Sequence, residues 1–103
     1  MITEIVTFKL PKEMTYEDVV ANFEKTAPNW NANPDLIRKN YLVDANKGVA
    51  GGVYLWKTRA DAEKWHGEAF RQKVKEIYGS EPDIQYFVTP IVVDNVAGAI
   101  VKD

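Results

Sequence analysis

The sequence predicts an α+β domain in which helices cover one face of a four-stranded antiparallel sheet. Strand-like and helix-like segments follow one another in the order β-α-β-β-α-β, and right-handed crossovers in this arrangement place both helical layers on the same side. The third strand segment, Val49–Lys57, is apolar at both parities, with Val53 and Leu55 on one face and two aromatic residues on the other. A strand with one solvated face would alternate apolar and polar residues. We therefore expect a second copy of the chain to bury the sheet face that lacks helices.

The first strand and the first helix are predicted from composition and capping signals. Ile2–Leu10 is rich in β-forming residues and is followed by a proline. Thr15 and Asp18 have the spacing of a capping box, which opens a helix. Apolar residues then recur at helical spacing, namely Tyr16, Val19, Val20, Phe23, Ala27 and Trp30. Pro28 is expected to kink or restart this helix, and Asn33–Pro34 to end it.

The central strands and the second helical segment follow. Leu36–Val43 and Val49–Lys57 are predicted as the second and third strands, joined by turn residues. A second capping pattern at Thr58 opens the next helix. We expect a break near Gly67, because an unbroken helix would place a lysine in the centre of its apolar stripe. A fresh helix then runs to Gly79, which closes it.

The last strand is predicted over Asp83–Asp94. Pro90 within it implies an edge position or a bulge, because proline cannot complete a ladder. The sequence therefore predicts a single domain over residues 1–95 and a C-terminal tail over residues 96–103. The tail contains Ala99–Val101, which is too apolar for a loose end and is expected to rest on the domain or on a partner.

Composition excludes several classes of function. The chain has 103 residues, of which 46% are hydrophobic and 27% charged, with a net charge of −2. Its scattered basic residues would not supply the phosphate neutralisation that nucleic-acid binding requires. The N-terminal residues do not resemble a signal peptide, and no apolar run reaches the ~20 residues that span a bilayer. Cysteine is absent, which excludes disulfides and thiolate chemistry and fits a cytoplasmic location.

Three strings carry a likeness to a known family: APNWNANPDLIRKNYL, GGVYLWKTRADAEKW and YGSEPDIQYFVTPIVVDN. With the predicted ferredoxin-like fold, they resemble the YdhR-type monooxygenases of the dimeric α/β barrel superfamily. The resemblance implies a homodimer joined through the sheet faces, with a small-molecule pocket between sheet and helices. Related members oxidise aromatic or polyketide substrates with O₂ and use no metal, flavin or haem, so no cofactor is expected.

The haem-degrading branch of the same superfamily matches only in part. Trp56 and Trp65 have the spacing of its two tryptophans. That branch also places an axial histidine four residues after a phenylalanine, which here is Phe70, and Val74 occupies the position of the ligand. The first strand also lacks the asparagine of that branch. Haem binding by that mechanism is therefore not expected.

His66 is the candidate catalytic base. It is the only histidine of the chain, and imidazole is the side chain that exchanges protons near neutral pH. Trp65 lies beside it on the predicted helix and is the second candidate catalytic residue. The alternative for His66 is a half-buried histidine that hydrogen-bonds at the sheet edge. A single histidine in a chain without cysteine does not make a usual zinc site, so no metal is expected.

The candidate substrate-binding residues are aromatic or polar. They are Trp30, Arg38, Asn40, Tyr54, Trp56 and Phe70. The tryptophans could line a flat pocket, although buried aromatic residues commonly form plain core. Arg38 and Asn40 share one face of the second strand and could stabilise a developing enolate or superoxide, or simply solvate a strand at the sheet edge.

The sequence thus favours a cofactor-independent monooxygenase acting on an aromatic or polycyclic small molecule. Two alternatives stay open. One is a dimeric module that binds an apolar small molecule without turnover. The other is an isomerase of the same fold, which would need the same base but no O₂.

Overall fold

The computed structural model describes residues 1–103 and contains six strands and three helices. The elements are β1 (Ile2–Lys9), α1 (Tyr16–Asn31), β2 (Leu36–Asp44), β3 (Val49–Trp56), α2 (Arg59–Trp65), α3 (Glu68–Tyr78), β4 (Asp83–Val88), β5 (Ile91–Asp94) and β6 (Ala99–Lys102). No helix combines the length and the hydrophobicity that a bilayer crossing requires.

The main sheet has the strand order β2-β3-β1-β4, and every neighbouring pair is antiparallel. This order confirms the predicted ferredoxin-like fold. β2 lies at one edge of the sheet, as a strand carrying Arg38 and Asn40 was expected to do.

Local signals place the helix boundaries. The Thr15 hydroxyl accepts from the Asp18 N–H at 3.2 Å, and the Asp18 carboxylate accepts from the Thr15 N–H at 3.0 Å, so the capping box is complete. α1 continues through Pro28 to Asn31 as one helix, so no restart occurs there. The break near Gly67 is confirmed, since this residue is the N-cap of α3.

The predicted long fourth strand, Asp83–Asp94, is wrong. Thr89 and Pro90 end β4, and the residues that follow form β5, which pairs with β6 in a separate two-stranded hairpin. The predicted tail therefore contains a strand, Ala99–Lys102. Proline lacks the N–H that would continue the hydrogen-bond ladder of the main sheet. The residues after it form β5, which pairs with β6 instead of with β1.

The core lies between the helices and one face of the sheet. Its buried residues are Val6, Phe8, Val19, Ala50, Tyr54, Trp56, Ala62, Val74 and Tyr78. The backbones of β3 and β1 approach closely at Gly51, where a Cβ would lie 1.8 Å from the carbonyl oxygen of Val6.

The opposite sheet face carries half-buried Val53 and buried Leu55, at the β3 positions that alternate with the inward-facing Tyr54 and Trp56. Phe87 shares this face and is 49% exposed. Apolar residues of the β5–β6 hairpin are also exposed, including Val93 and Ile100 at 67% each. The helix-free face therefore exposes Phe87, and the hairpin exposes further apolar side chains of its own.

Candidate functional site

A buried carboxylate lies at the centre of the site. Glu4 has the same parity in β1 as Val6 and Phe8, so its side chain enters the core, where the residue is 0% exposed. Its Oε1 accepts a hydrogen bond from Trp56 Nε1 at 2.8 Å and lies 2.6 Å from His66 Nδ1. A buried charge requires such partners, because its desolvation is otherwise uncompensated.

The imidazole of His66 completes a histidine–carboxylate pair. His66 is the C-cap of α2, and its side chain is 0% exposed. When Nδ1 donates to the carboxylate, the neutral ring leaves Nε2 as a proton acceptor. Neither Nε2 of His66 nor Oε2 of Glu4 has a hydrogen-bond partner in the chain. With the ring neutral, Nε2 is a free acceptor atom in an apolar environment, whereas the Glu4 carboxylate also faces the phenol of Tyr86, its partner in the β1–β4 register.

Four aromatic rings surround this imidazole. The ring centroids of Phe70, Tyr54, Trp30 and Trp56 lie 4.1, 4.4, 5.3 and 5.7 Å from that of the histidine. Tyr54 and Trp56 are nearly parallel to each other. Burial raises the pKa of Tyr54 well above its ordinary value, and the Glu4 carboxylate adds to this effect, so the phenol stays neutral.

A lysine ammonium lies over the same aromatic cluster. Nζ of Lys39, on β2, is 3.7 Å from the ring centroid of Tyr41, 4.5 Å from that of Tyr54 and 4.6 Å from that of Trp30. Burial lowers the pKa of Lys39 to about 7, although the Glu4 carboxylate opposes this shift. The side chain is thus a cation held by ring faces, and it changes charge near neutral pH.

A cleft between α1 and β2 exposes part of this cluster. Its volume is about 220 Å³, and it is lined by Ala27, Trp30, Asn31, Leu36, Ile37, Arg38, Lys39 and Tyr41. A second cleft of about 280 Å³ adjoins it and shares Ala27 and Tyr41. The Tyr41 hydroxyl, 2.6 Å from Thr26 Oγ1, links β2 to α1 along this groove.

The structure brings most of the predicted site residues together. Trp30, Tyr54, Trp56 and Phe70 surround His66, and Trp30 both contacts the imidazole and lines the cleft. The ring of Trp30 therefore lies between the predicted catalytic base and the cleft.

Three other predicted residues lie away from the imidazole. Trp65 is 40% exposed and donates its indole N–H to Asp35 Oδ2 at 3.0 Å. Arg38 lines the cleft and lies 3.9 Å from a carboxylate oxygen of Asp94. Asn40 is exposed and pairs with Val53 in the register of the helix-free face.

Sequence reasoning missed Glu4 and Lys39. The signal that could have identified them is strand parity. Glu4 interrupts the apolar face of β1, and Lys39 shares its face of β2 with Tyr41. A charged residue at an inward position requires a buried partner, because an unpaired charge is costly to remove from water.

The side chains of this site can transfer a proton at His66, stabilise a negative charge at Lys39 and pack against an aromatic ring at Trp30. No group of three or more His, Cys, Asp or Glu side chains comes together in a way that could hold a metal ion.

These features define a ferredoxin-like α+β domain with a buried histidine–carboxylate pair beside an aromatic, cationic cleft. The family model described as "Putative mono-oxygenase ydhR" matches residues 5–88, and the chain belongs to this family. The predicted family resemblance is thereby confirmed. The matched range includes Lys39 and His66, whereas Glu4 lies one residue before it and the β5–β6 hairpin follows it. No curated protein matches the chain.

Proposed function

We propose that the chain is a monooxygenase that oxidises an aromatic or polycyclic small molecule with O₂, without a metal, flavin or haem, between α1 and the sheet. The observation that carries this proposal is the His66–Glu4 pair, whose Nδ1···Oε1 distance is 2.6 Å and whose Nε2 has no partner. A carboxylate that accepts the Nδ1 proton fixes the orientation and the tautomer of an imidazole, and leaves its Nε2 to take a proton. The monooxygenase family assignment supports the same reaction class.

The proposed reaction converts an activated CH₂ next to an aromatic ring into a carbonyl. His66 Nε2 takes one C–H proton, and the resulting carbanion passes one electron to O₂. The carbon radical and superoxide combine into a peroxide. Proton uptake and cleavage of the O–O bond, with loss of the second C–H proton, leave the ketone and one water. One oxygen atom enters the product, the other leaves as water, and the substrate supplies all four electrons.

The aromatic surroundings serve this chemistry because they exclude water. A site without water strengthens electrostatic stabilisation of the carbanion and protects reactive oxygen species from side reactions. Trp30 stands between the imidazole and the cleft, so its ring moves when substrate reaches Nε2. Trp65, beside His66 in sequence, stays a second candidate, although it is not among the residues that line the cleft.

We also propose that the active assembly is a homodimer joined through the helix-free sheet face. Half-buried Val53 and exposed Phe87 on this face support it. A twofold pairing of two such faces would remove apolar surface from water on both subunits.

The complete burial of His66 favours one alternative, a binding module without turnover. In that case the His66–Glu4 pair only satisfies polar groups within the core, and the ligand leaves chemically unchanged. An isomerase of the same fold would use the base but not O₂.

Oxygen uptake separates these possibilities. We would supply hydroquinones and aromatic ketones with activated methylene groups, and follow ¹⁸O₂ incorporation by mass spectrometry. The His66→Asn variant keeps an amide N–H for Glu4 but removes the base, and we expect at least about a hundredfold loss of rate. Glu63→Gln on the same helix, where the carboxylate is exposed, is the matched control and should retain activity.

The outcomes are distinct. One ¹⁸O atom per product with a His66-dependent rate supports the monooxygenase. Turnover that persists without O₂ indicates the isomerase. A compound that co-purifies and is released unchanged, with no uptake across the panel, indicates the binding module. An unaltered rate in His66→Asn would overturn the assignment of the base.

A further inference from the structure

The Lys39 ammonium has no polar partner in the chain. Its Nζ makes no hydrogen bond and no ion pair, although it carries three donors. It lies over the ring faces of Trp30, Tyr41 and Tyr54, with Nζ at 3.7–4.6 Å from their centroids. Cation–π contact stabilises a desolvated ammonium but leaves its N–H donors unused.

The cleft beside this ammonium is cationic and aromatic. Trp30, Lys39 and Tyr41 line it together with Arg38, and no aspartate or glutamate is among its lining residues. Arg38 already faces Asp94 at 3.9 Å, so Lys39 is the free positive charge. The neighbouring cleft, in contrast, is lined mostly by apolar residues and by Glu24.

We infer that the α1–β2 cleft binds aromatic compounds that carry an ionised oxygen, with the oxyanion on Lys39 Nζ and the ring against Trp30 and Tyr41. An oxyanion would use the free N–H donors in a charge-assisted hydrogen bond. It would also offset the desolvation that lowers the pKa of Lys39 to about 7. A cleft of about 220 Å³ lies below the usual range of drug-sized sites, which suits a compound of one or two rings.

This inference rests on the proposed function only in taking the cleft as the substrate site. It narrows the substrate class to acidic aromatics, such as phenolates, enolates or carboxylates. Lys39 would act as a specificity residue, and it would also stabilise the negative charge that develops when a proton leaves the substrate.

Binding of two redox-inert probes tests the inference without turnover. The probes are 1-naphthoate and its neutral isostere 1-naphthamide, followed by calorimetry and by quenching of tryptophan fluorescence. We expect wild-type protein at pH 6.5 to prefer the carboxylate. Lys39→Met keeps the aliphatic stem, and it should weaken naphthoate binding about ten- to hundredfold while leaving naphthamide binding within about threefold. Lys39→Arg should restore part of the preference. Lys47→Met removes an equal charge from an exposed turn, and it should change neither the naphthoate affinity nor the naphthamide affinity.

The pH profile provides a second measurement. Naphthoate binding should weaken between pH 6 and 9 as Lys39 loses its proton, and naphthamide binding should stay flat. The groups that face Lys39 are Glu4, Tyr41 and Tyr54. Burial raises the pKa of both tyrosines, so neither phenol ionises in this range.

Equal affinities for the two probes, an unaltered naphthoate affinity in Lys39→Met, or no binding of either probe at millimolar concentration would overturn the inference. Its failure is distinguishable from that of the proposed function. Naphthoate binding without O₂ uptake on any substrate would leave a binding module for aromatic anions. His66-dependent uptake without a carboxylate preference would leave a monooxygenase for neutral substrates.

Discussion

Removal of the Glu4 carboxylate should be strongly destabilising. In Glu4→Ala, the indole N–H of Trp56 and Nδ1 of His66 both lose their acceptor, at 2.8 and 2.6 Å in the native chain. Both donors stay buried, because Trp56 is 0% and His66 3% exposed. The loss of one partner from a buried, hydrogen-bonded pair costs about 3–5 kcal/mol.

This magnitude is the balance of opposing terms. Each charge-assisted hydrogen bond to the carboxylate contributes about 1.5–3 kcal/mol, and each buried donor left without an acceptor costs about 1–3 kcal/mol. The variant gains from no longer burying a charge, which keeps the net loss near 4 kcal/mol rather than above it. A domain of this size is stable by about 5–15 kcal/mol, so we expect a folded variant with a Tm lowered by at least ~12 °C.

Urea unfolding, followed by tryptophan fluorescence and circular dichroism, measures the effect. Glu4→Gln keeps the volume and one acceptor oxygen and should lose only about 1–2 kcal/mol. Glu63→Ala removes an exposed carboxylate that pairs with Arg59 and should cost no more than about 0.5 kcal/mol. A loss below about 1 kcal/mol in Glu4→Ala would refute the reasoning, because the two hydrogen bonds would then contribute no more than the burial of the charge costs.

Three further outcomes are expected. Gly51→Ala places a Cβ 1.8 Å from the Val6 carbonyl oxygen and should cost about 2 kcal/mol or more in urea unfolding, whereas Gly67→Ala, at the N-cap of α3 with its nearest contact at 3.6 Å, should cost no more than about 1 kcal/mol. Because the pKa of Lys39 falls to about 7 on folding, the unfolded chain binds more protons above pH 7; stability should rise by about 2–3 kcal/mol between pH 7 and 9, and Lys39→Met should abolish this rise. Sedimentation at micromolar concentration should give a dimer, and Val53→Glu a monomer; a wild-type monomer would refute the proposed assembly.

Local sequence patterns were sufficient for most of the main domain. The capping box at Thr15, the break at Gly67 and the αL cap at Gly79 each depend on a few neighbouring residues. Such signals act within one or two helical turns, so they are readable without knowledge of the fold. The β5–β6 hairpin was missed because Pro90 signalled an irregularity but not which segment β5 would pair with.

The site could be predicted only in part, because its contacts also join segments that are distant in sequence. The aromatic residues and His66 could be proposed from residue type, and the structure places four of those aromatic residues around the imidazole. Glu4 lies 62 positions away from His66 in sequence, and no spacing rule connects residues that far apart. Strand parity marks Glu4 and Lys39 as inward charges, but not their partners.

By itself, the sequence determined the order of elements from β1 to the start of β4, the helix ends and the two apolar faces of the sheet, because these follow from short-range periodicity and backbone sterics. Only the tertiary structure decided that a carboxylate from β1 meets the histidine at the end of α2, and that a lysine from β2 lies on rings from α1 and β3. Those contacts join distant segments, and their energies depend on burial and on distances that only the packed chain defines.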